Sequence, residues 1–176
     1  RLRQQYFLVS ASIQDILHRH LRHYNTLENL GDKVAIHIND THPALSVPEL
    51  MRFLLDECGY DWDKAWSIVT KTIAYTNHTV MSEALECWNE DLFKARLPRI
   101  YQIVKEIDNR FRREMYDKTQ DADIVEKTAV ISGGFVRMAN LSVVASHKVN
   151  GVSKLHSEIL KYDLFNNYYK RVMKSY

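Results

Sequence analysis

Two stretches of the sequence end an apolar run with a group of polar side chains. One is VAIHINDTHP (residues 34–43), which contains Asp40 and His42, and the other is AYTNHTV (residues 74–80), which contains His78. Carboxylate, amide and imidazole groups supply hydrogen-bond donors and acceptors side by side. Such a mixture binds hydroxyl-rich ligands, so we interpret the two polar endings as a candidate ligand site.

Each polar ending also has an ordinary structural explanation. Asparagine, aspartate and threonine, which occupy Asn39, Asp40 and Thr41, are common in turns that follow a strand. His78 has a second interpretation too, as a hydrogen-bonded histidine of the core. Because both stretches end in the same way, we favour a site over two unrelated structural explanations.

The residues between the two stretches predict how they come together. Residues 33–38 and 73–76 are rich in β-branched side chains without a helical period, which is typical of short strands. Between them, Ser46 begins a capping-box pattern with a proline in the first turn, and Asp61 precedes a second helical pattern. A strand–helices–strand crossover normally joins two parallel neighbours of one sheet.

The carboxyl ends of parallel neighbours lie at one edge of a sheet, and ligands bind at that edge in open α/β sheets. We therefore expect Asp40, His42, Asn77, His78 and Thr79 to converge at one edge. No serine or thiol stands near a base as in a catalytic triad, and the histidine and aspartate spacings do not match zinc sites. We accordingly expect no metal.

The rest of the chain is predicted to be mainly helical. Apolar residues at helical spacing run through residues 2–22, and a longer helical stretch covers about 90–116, divided or begun at Pro98. Asn140 is a predicted helix cap, and Asn150-Gly151 is predicted to end that helix. Further caps are predicted at Ser153 and Asp163.

A hairpin is predicted late in the chain. Ser132-Gly133-Gly134 separates two short apolar stretches, 127–131 and 135–138, and a glycine pair suits the tight turn between antiparallel strands. Together these patterns predict a helix-rich α/β fold with a few short strands.

Composition excludes several classes of protein. The 176 residues suit one domain, and 45% of them are hydrophobic, enough for a packed core. The net charge of +2 comes from mixed acidic and basic residues, which gives no footprint for nucleic acid. No apolar run approaches the ~20 residues of a membrane span. With two cysteines and no visible signal peptide, a cytoplasmic location is expected.

The two ends of the sequence suggest a piece of a longer protein. The chain begins at Arg1, without methionine, in a pattern that is already helical, and it stops at KRVMKSY without a recognisable C-terminal motif. We therefore expect an excerpt.

Several long segments resemble the α-glucan phosphorylases, the glycogen and maltodextrin phosphorylase family. The segments KVAIHINDTHPALSVPELMRFLLDE, DWDKAW, AYTNHTVMSEALECW and SHKVNGVSKLHSEIL stand in the order of that family and at similar spacing. The opening RLRQQYFLVSASIQDIL is similar as well. The resemblance covers essentially the whole chain and is weakest over residues 86–130.

The resemblance implies a fold and an activity. Members of this family have two doubly wound, Rossmann-like lobes in the glycosyltransferase-B arrangement, with the active site between them. They transfer the terminal glucosyl unit of an α-1,4-glucan to phosphate and release glucose 1-phosphate, with pyridoxal phosphate as cofactor. The chain resembles the later part of the N-terminal lobe, residues 1–176 being a fragment without the cofactor lysine. We expect the fragment to be inactive by itself.

The resemblance also assigns site residues. His78 matches the histidine whose ring and backbone carbonyl approach the sugar, and we take it as the catalytic candidate. The substrate-binding candidates flank this histidine, line the neighbouring cavity or border the active site as a loop: Asp40, His42, Asn77, Thr79, Glu83, Asn150, Gly151 and Val152. For Asn150-Gly151 the plain helix end remains an equal alternative.

Two residues fall at a regulatory position of the family. His18 and Arg19 stand where regulated animal enzymes carry an arginine pair for a nucleotide phosphate. Because the first is histidine here, a solvated helix face is the favoured interpretation.

Partners follow from the resemblance and from the missing lobe. The parent protein is expected to bind an α-1,4-glucan and phosphate and to form a homodimer. The fragment is expected to associate with itself, because an apolar helix face including Tyr6, Val9, Ile13 and Leu17 would lose its cover. Two alternatives remain open: a stand-alone carbohydrate-binding or scaffold domain, and another glucan-acting transferase with the same lobe.

Overall fold

The computed structural model describes residues 1–79 and 81–152 of the protein. The α-helices in these ranges are α1 (Leu2–Tyr24), α2 (Leu30–Lys33), α3 (Ser46–Arg52), α4 (Trp62–Thr72), α5 (Glu90–Arg96), α6 (Pro98–Thr119), α7 (Ala122–Thr128) and α8 (Met138–Ala145). A π-helical turn, Phe53–Glu57, continues α3, and a 3₁₀ turn covers Ser82–Ala84. The strands are β1 (Ile36–Asn39), β2 (Ile73–Asn77), β3 (Cys87–Asn89), β4 (Ile131–Ser132), β5 (Phe135–Arg137) and β6 (Lys148–Gly151). The fold is a helix-rich α/β arrangement around a small parallel sheet. No helix of the described ranges is both long enough and apolar enough to cross a bilayer.

The parallel sheet has the order β1-β2-β6. Strands β1 and β2 pair in parallel from Ile36 opposite Ile73 to Asn39 opposite Thr76, which confirms the predicted crossover. The first strand begins later than predicted because residues 30–33 form the short helix α2. Helix α8 packs against both β2 and α3, so the two crossovers of the sheet lie on the same face.

Strand β6 corrects the prediction that Asn150-Gly151 ends a helix. Helix α8 already ends at Ala145, and β6 pairs in parallel with β2, Asn150 lying opposite Thr76. The segment HKVN has only one apolar residue and no alternation, so its own pattern does not predict a strand. Pairing with the free edge of β2 decides its conformation.

The two faces of the parallel sheet differ in polarity. Ile38 and Tyr75 point to the core face, and neither has any exposed surface. On the second face, His37 Nε2 lies 2.5 Å from Thr76 Oγ1, and Thr76 Oγ1 donates to Asn150 Oδ1 at 2.7 Å. A row of polar side chains therefore crosses all three strands on the face opposite the crossovers.

The predicted hairpin is confirmed, with a shorter first strand. Strands β4 and β5 are antiparallel, and β3 pairs with the other side of β5. Gly133 and Gly134 have φ values of 58° and 78°, the left-handed conformation that this tight turn requires at both central positions. The first strand is short because α7, capped by the side chain of Asp121, takes up residues through Thr128.

Most predicted helix boundaries are confirmed. Asp61 caps α4 by accepting from the backbone N–H of Lys64 at 2.9 Å, and Pro98 begins α6 after a break at Leu97. Asn140 is a correction, because it lies inside α8 and its amide donates to the carbonyls of residues 128 and 129. The helices predicted after Ser153 and Asp163 lie outside the described residues.

Glu49 joins α1 to α3 instead of closing a capping box. Helix α3 begins at Ser46 as predicted, but no side chain caps it. The Glu49 carboxylate has no exposed surface and accepts from Tyr6 Oη at 2.7 Å, Ser10 Oγ at 3.0 Å and the Arg52 guanidinium at 2.9 Å. A buried carboxylate needs such partners, because an unpaired charge in the interior is costly.

The same contact corrects the expectation of an uncovered apolar face on α1. Val9, Ile13 and Leu17 are buried in the core, and Tyr6 packs against it. The exposed apolar residues of this helix are Phe7 and Leu8, which are 72% and 65% exposed. The helix therefore has its main partner, α3, within the described chain.

Tyr6 predicts a loss of stability at alkaline pH. Burial, followed by the hydrogen bond to Glu49, raises the pKa of Tyr6 to about 12, above the ordinary tyrosine value of about 10. A raised folded-state pKa means that this contribution to stability is complete below the unfolded pKa and is lost as the pH approaches 12. When the pH is raised from about 9 to about 11, the free energy of urea unfolding should fall less for the Tyr6→Phe variant than for the wild type. Equal losses in both proteins would contradict the assignment.

Candidate functional site at the carboxyl edge of the parallel sheet

Three strands deliver the candidate residues to one edge of the parallel sheet. Strand β1 ends at Asn39, immediately before Asp40, and β2 ends at Asn77, immediately before His78. The parallel pairing of β1 and β2 confirms that these two ends lie on the same edge. Strand β6 ends there as well, with Gly151 paired opposite Asn77, so the edge has a third contributor that the sequence patterns did not predict.

Asp40 makes a sharp turn at the end of β1. Its φ of 61° lies in the left-handed region, which aspartate enters more readily than most residues. Its backbone N–H donates to the carbonyl of Thr76 at 2.9 Å, and its Oδ1 accepts from the N–H of Thr41 at 2.6 Å. One carboxylate oxygen thus shapes the turn, so the turn explanation holds for that oxygen and does not exclude a ligand at the other.

His78 is an exposed residue, which rules out the interpretation as a core histidine. Its Nε2 lies 2.6 Å from Oδ1 of Asn39 on the neighbouring strand. Since an amide oxygen only accepts, Nε2 carries the hydrogen in this arrangement, and Nδ1 of the neutral ring is left as an acceptor. Asn39 therefore orients the ring and selects its tautomer.

Asn77 has a supporting position within the edge. Its side chain has no exposed surface; Nδ2 donates to Tyr75 Oη at 2.7 Å, and Oδ1 accepts from the N–H of Thr79 at 2.7 Å. Burial, opposed by the hydrogen bond from Asn77 and aided by the charge of Asp40, keeps the pKa of Tyr75 above its ordinary value. Asn77 thus holds Tyr75 and Thr79, and its predicted direct contact with substrate would require it to become accessible.

Asn150 and its neighbours complete the edge on the β6 side. The Asn150 amide accepts from Thr76 and donates to the carbonyl of Gly151 at 3.1 Å, so both ends of the side chain are held. Gly151 is buried, whereas Val152 is 58% exposed directly after the strand. These residues form the end of a strand, which is neither the loop nor the helix end predicted for them.

Glu86, which the sequence patterns did not single out, contacts the turn that follows β1. His42 is exposed, and its Nδ1 lies 3.8 Å from Glu86 Oε2. Glu83 lies in a short 3₁₀ turn, Ser82–Ala84, and is exposed. The substrate role of Glu83 stays a prediction. The sequence did not reveal the role of Glu86, because an acidic residue in SEALECW fits an ordinary surface position equally well.

His18 and Arg19 belong to the solvated face of α1. Arg19 forms an i,i+4 ion pair with Asp15 at 2.8 Å, and the exposed ring of His18 meets the ring of Phe53 edge-on at 5.8 Å. Both residues are exposed, as the favoured interpretation of a solvated helix face requires, although the His18 ring also contacts the buried Phe53 after α3. A nucleotide role for this pair stays a prediction.

The edge offers hydrogen-bonding groups from three strands on a rigid frame. Asp40 carries a negative charge there, His78 presents an imidazole nitrogen, and backbone groups follow each strand end. Such a set binds hydroxyl groups and stabilises positive charge that develops on a bound ligand. In the described ranges, no three histidine, cysteine, aspartate or glutamate residues are grouped so as to hold a metal ion.

Comparison with known proteins assigns the family. The sequence profile of the carbohydrate phosphorylases matches residues 1–176. The chain is 53% identical to a glycogen phosphorylase of Bacillus subtilis over 92% of its length, and 51% identical to one of Haemophilus influenzae over 96%. It is 48% identical over 96% of its length to a relative from Arabidopsis thaliana named alpha-glucan phosphorylase 2, cytosolic.

The chain spans about a fifth of each of these relatives, 20% of the first and 21% of the other two. The matched fifth includes both polar strand endings and the three-stranded edge described above. The profile match covers the whole chain, so membership does not rest on a short motif. This chain belongs to the carbohydrate phosphorylase family.

Proposed function

We propose that this chain is part of an α-glucan phosphorylase, an enzyme that transfers the terminal glucosyl unit of glycogen or maltodextrin to phosphate and releases glucose 1-phosphate. The observation that carries the proposal is the convergence of Asp40, His78 and Asn150 at one sheet edge in a chain of this family. Because the chain spans about a fifth of its relatives, the activity belongs to the longer protein. The chain alone is proposed to be inactive.

The chain is proposed to form part of the N-terminal, doubly wound lobe of a glycosyltransferase-B fold. Both crossovers of the sheet lie on one face, which is half of a doubly wound arrangement. Parallel sheets are normally covered on both faces, whereas the face with His37 and Asn39 is exposed in the described chain. Other parts of the lobe would cover that face in the whole protein.

The site residues receive distinct roles in the proposed reaction. The transition state gains positive charge at the anomeric carbon of the sugar, and a dipole or carboxylate held beside it lowers the barrier. His78 would contact the sugar through its ring and backbone carbonyl, and Asp40 would supply negative charge from the neighbouring strand. The proposed binding residues are His42, Thr79, Glu83, Asn150, Gly151 and Val152, with Asn77 in support.

Pyridoxal phosphate is proposed as the cofactor of the whole protein, but the described residues do not fit it. A Schiff base requires a lysine amine inside a cavity. Lys64 and Lys71 pair with carboxylates at the surface, and every other lysine in the described ranges is at least partly exposed. The cofactor lysine is therefore proposed to lie outside 1–79 and 81–152, and no step of the reaction is assigned to the cofactor here.

Location and assembly are proposed on more general grounds. A cytoplasmic location is supported by the low cysteine content and by the cytosolic Arabidopsis relative. The whole protein is proposed to be a homodimer that binds neither nucleic acid nor membrane. Glucan and phosphate are its proposed partners.

The isolated chain is predicted to associate with itself. Strands β1 and β6 are the edges of the described sheet, and Phe7 and Leu8 are exposed on α1. Unpaired strand edges and apolar surface both favour contact with a second copy. Light scattering at about micromolar concentration should show a mass above that of the monomer. A monomer with a cooperative melt would show that the segment is self-sufficient.

A phosphorolysis assay on the full-length protein tests the proposed function. The protein is incubated with a linear α-1,4-glucan and inorganic phosphate, and glucose 1-phosphate is measured. Phosphate-dependent formation of this product is the expected result. Transfer of glucan without glucose 1-phosphate would indicate another glucan-acting transferase, and binding without turnover would indicate a carbohydrate-binding domain. Either outcome overturns the proposal.

A further inference from the structure

We infer that Glu86 is a positioning residue for the reaction, because it holds the turn through Asp40, Thr41 and His42 at the sheet edge. The inference rests on the proposed function, since it concerns the same edge. Glu86 itself lies between the 3₁₀ turn at Ser82–Ala84 and strand β3, in a part of the chain outside the parallel sheet.

The Glu86 carboxylate receives donors from three separate parts of the chain. Oε1 accepts from Gln5 Nε2 of α1 at 3.0 Å and from the indole N–H of Trp88 in β3 at 3.1 Å. Oε2 accepts from Thr41 Oγ1 at 3.1 Å and lies 3.8 Å from Nδ1 of His42. The side chain is only 16% exposed, so water competes poorly for these contacts.

The position of Glu86 is itself set by the backbone. Its carbonyl accepts from the N–H of Met138 at 3.1 Å, at the start of α8. Since α8 packs on β2, this hydrogen bond connects Glu86 to the frame that carries His78. The backbone of Glu86 is therefore fixed by α8, so its carboxylate can in turn fix the position of Thr41.

Thr41 is the residue through which Glu86 would act. Asp40 has a left-handed backbone, a conformation that persists only when its surroundings determine it. Thr41 follows directly, is 3% exposed, and its carbonyl accepts from the N–H of Ala44 at 3.0 Å. The carboxylate of Asp40 shapes the turn from within, and the hydroxyl of Thr41 ties the turn to the rest of the chain through Glu86.

Position 86 requires a side chain that can hydrogen-bond at both atoms of its terminal group. Oε1 accepts from Gln5 and Trp88, whose amide and indole N–H groups only donate, and Oε2 accepts from the Thr41 hydroxyl. A glutamine with its oxygen toward Trp88 would keep these contacts, because a hydroxyl also accepts and the hydrogen bond with Thr41 can reverse. Glu86→Met keeps the length of the side chain but removes both acceptors, so it should loosen the turn without opening a large cavity.

The test uses the full-length protein and separates positioning from stability. Glu86→Met should lower kcat for phosphorolysis by roughly 10- to 100-fold, as expected for a misplaced site, and change KM for the glucan far less. Glu86→Gln, which can keep the hydrogen bonds, should retain most of kcat. Thr41→Val, which removes only the hydroxyl, should give the same pattern, and Thr41→Ser, which keeps it, should restore kcat. Combining Glu86→Met with Thr41→Val should lower kcat little further, because each change removes the same contact between Thr41 and Glu86.

Gln5→Ala is the matched control, because it removes a hydrogen bond to the other oxygen of the same carboxylate and leaves the Thr41 contact in place. It should lower the melting temperature at most slightly and leave kcat unchanged. An unchanged kcat in Glu86→Met would overturn this inference and leave the proposed function standing. So would effects of Glu86→Met and Thr41→Val on kcat that simply multiply in the double variant. A wild-type protein that forms no glucose 1-phosphate would overturn the proposed function, and this inference with it.

Discussion

Replacing His78 with alanine in the full-length protein should lower kcat for phosphorolysis by about 100-fold, with a much smaller change in KM for the glucan. The ring is held by Asn39 at 2.6 Å on a strand end, so its interactions with the sugar are set before the reaction begins. Groups held in this way act mainly on the transition state, where charge develops at the anomeric carbon.

Two controls sharpen the His78 experiment. His23→Ala removes another exposed histidine, in the last turn of α1, and should leave kcat unchanged. Asn39→Ala keeps the imidazole but removes the acceptor that orients it, so it should give a part of the His78→Ala loss. A His78→Ala protein with unchanged kcat and only a raised KM for phosphate would contradict the proposed role.

Replacing Glu49 with alanine should destabilise this chain by about 3–5 kcal/mol, the range for breaking a buried ion pair on one side. The change leaves the Arg52 guanidinium and the hydroxyls of Tyr6 and Ser10 without their common acceptor in the core between α1 and α3. The expected readout is a lower urea midpoint for the chain, followed by far-ultraviolet circular dichroism.

Glu57→Ala is the matched control for Glu49. It removes the other carboxylate that pairs with Arg52, at 3.0 Å, but this side chain is 54% exposed. An exposed pair contributes at most about 1 kcal/mol, so the urea midpoint should barely move. Equal losses in the two variants would mean that burial of Glu49 does not matter. That result would contradict the explanation given for the α1–α3 contact.

The sequence determined the strand ends on which the candidate site is built. The runs before Asp40 and before His78 are β-branched and bounded by helical patterns, and a crossover between them has one strongly preferred geometry. The parallel pairing of β1 and β2 follows from these local features. The β4–β5 hairpin was predictable for a similar reason, since a glycine pair adopts the left-handed conformation at little cost.

Only the tertiary structure decided β6 and the burial of Asn77. A strand with a single apolar residue forms at 148–151 because β2 offers it an unpaired edge. Asn77 is buried because it follows Tyr75 on the core face of β2, against which α8 packs, while its amide is satisfied by its near neighbours Tyr75 and Thr79. In both cases an element distant in the sequence decides the outcome: β2 decides the conformation of β6, and packing against β2 decides the burial of Asn77.

The polar contacts that hold the site and the core were also decided by packing. The spacing of Glu49 from Ser46 fits a capping box. In the fold, however, the Glu49 carboxylate accepts hydrogen bonds from Tyr6 and Ser10 of α1 and does not cap α3. The sequence around Glu86 predicts a surface residue, whereas in the fold its carboxylate accepts hydrogen bonds from α1, from β3 and from the turn after β1. Periodicity reports which side chains turn inward, because it follows from backbone geometry within one element. Which polar groups then meet depends on elements more than 40 residues apart, and chain folding alone brings those together.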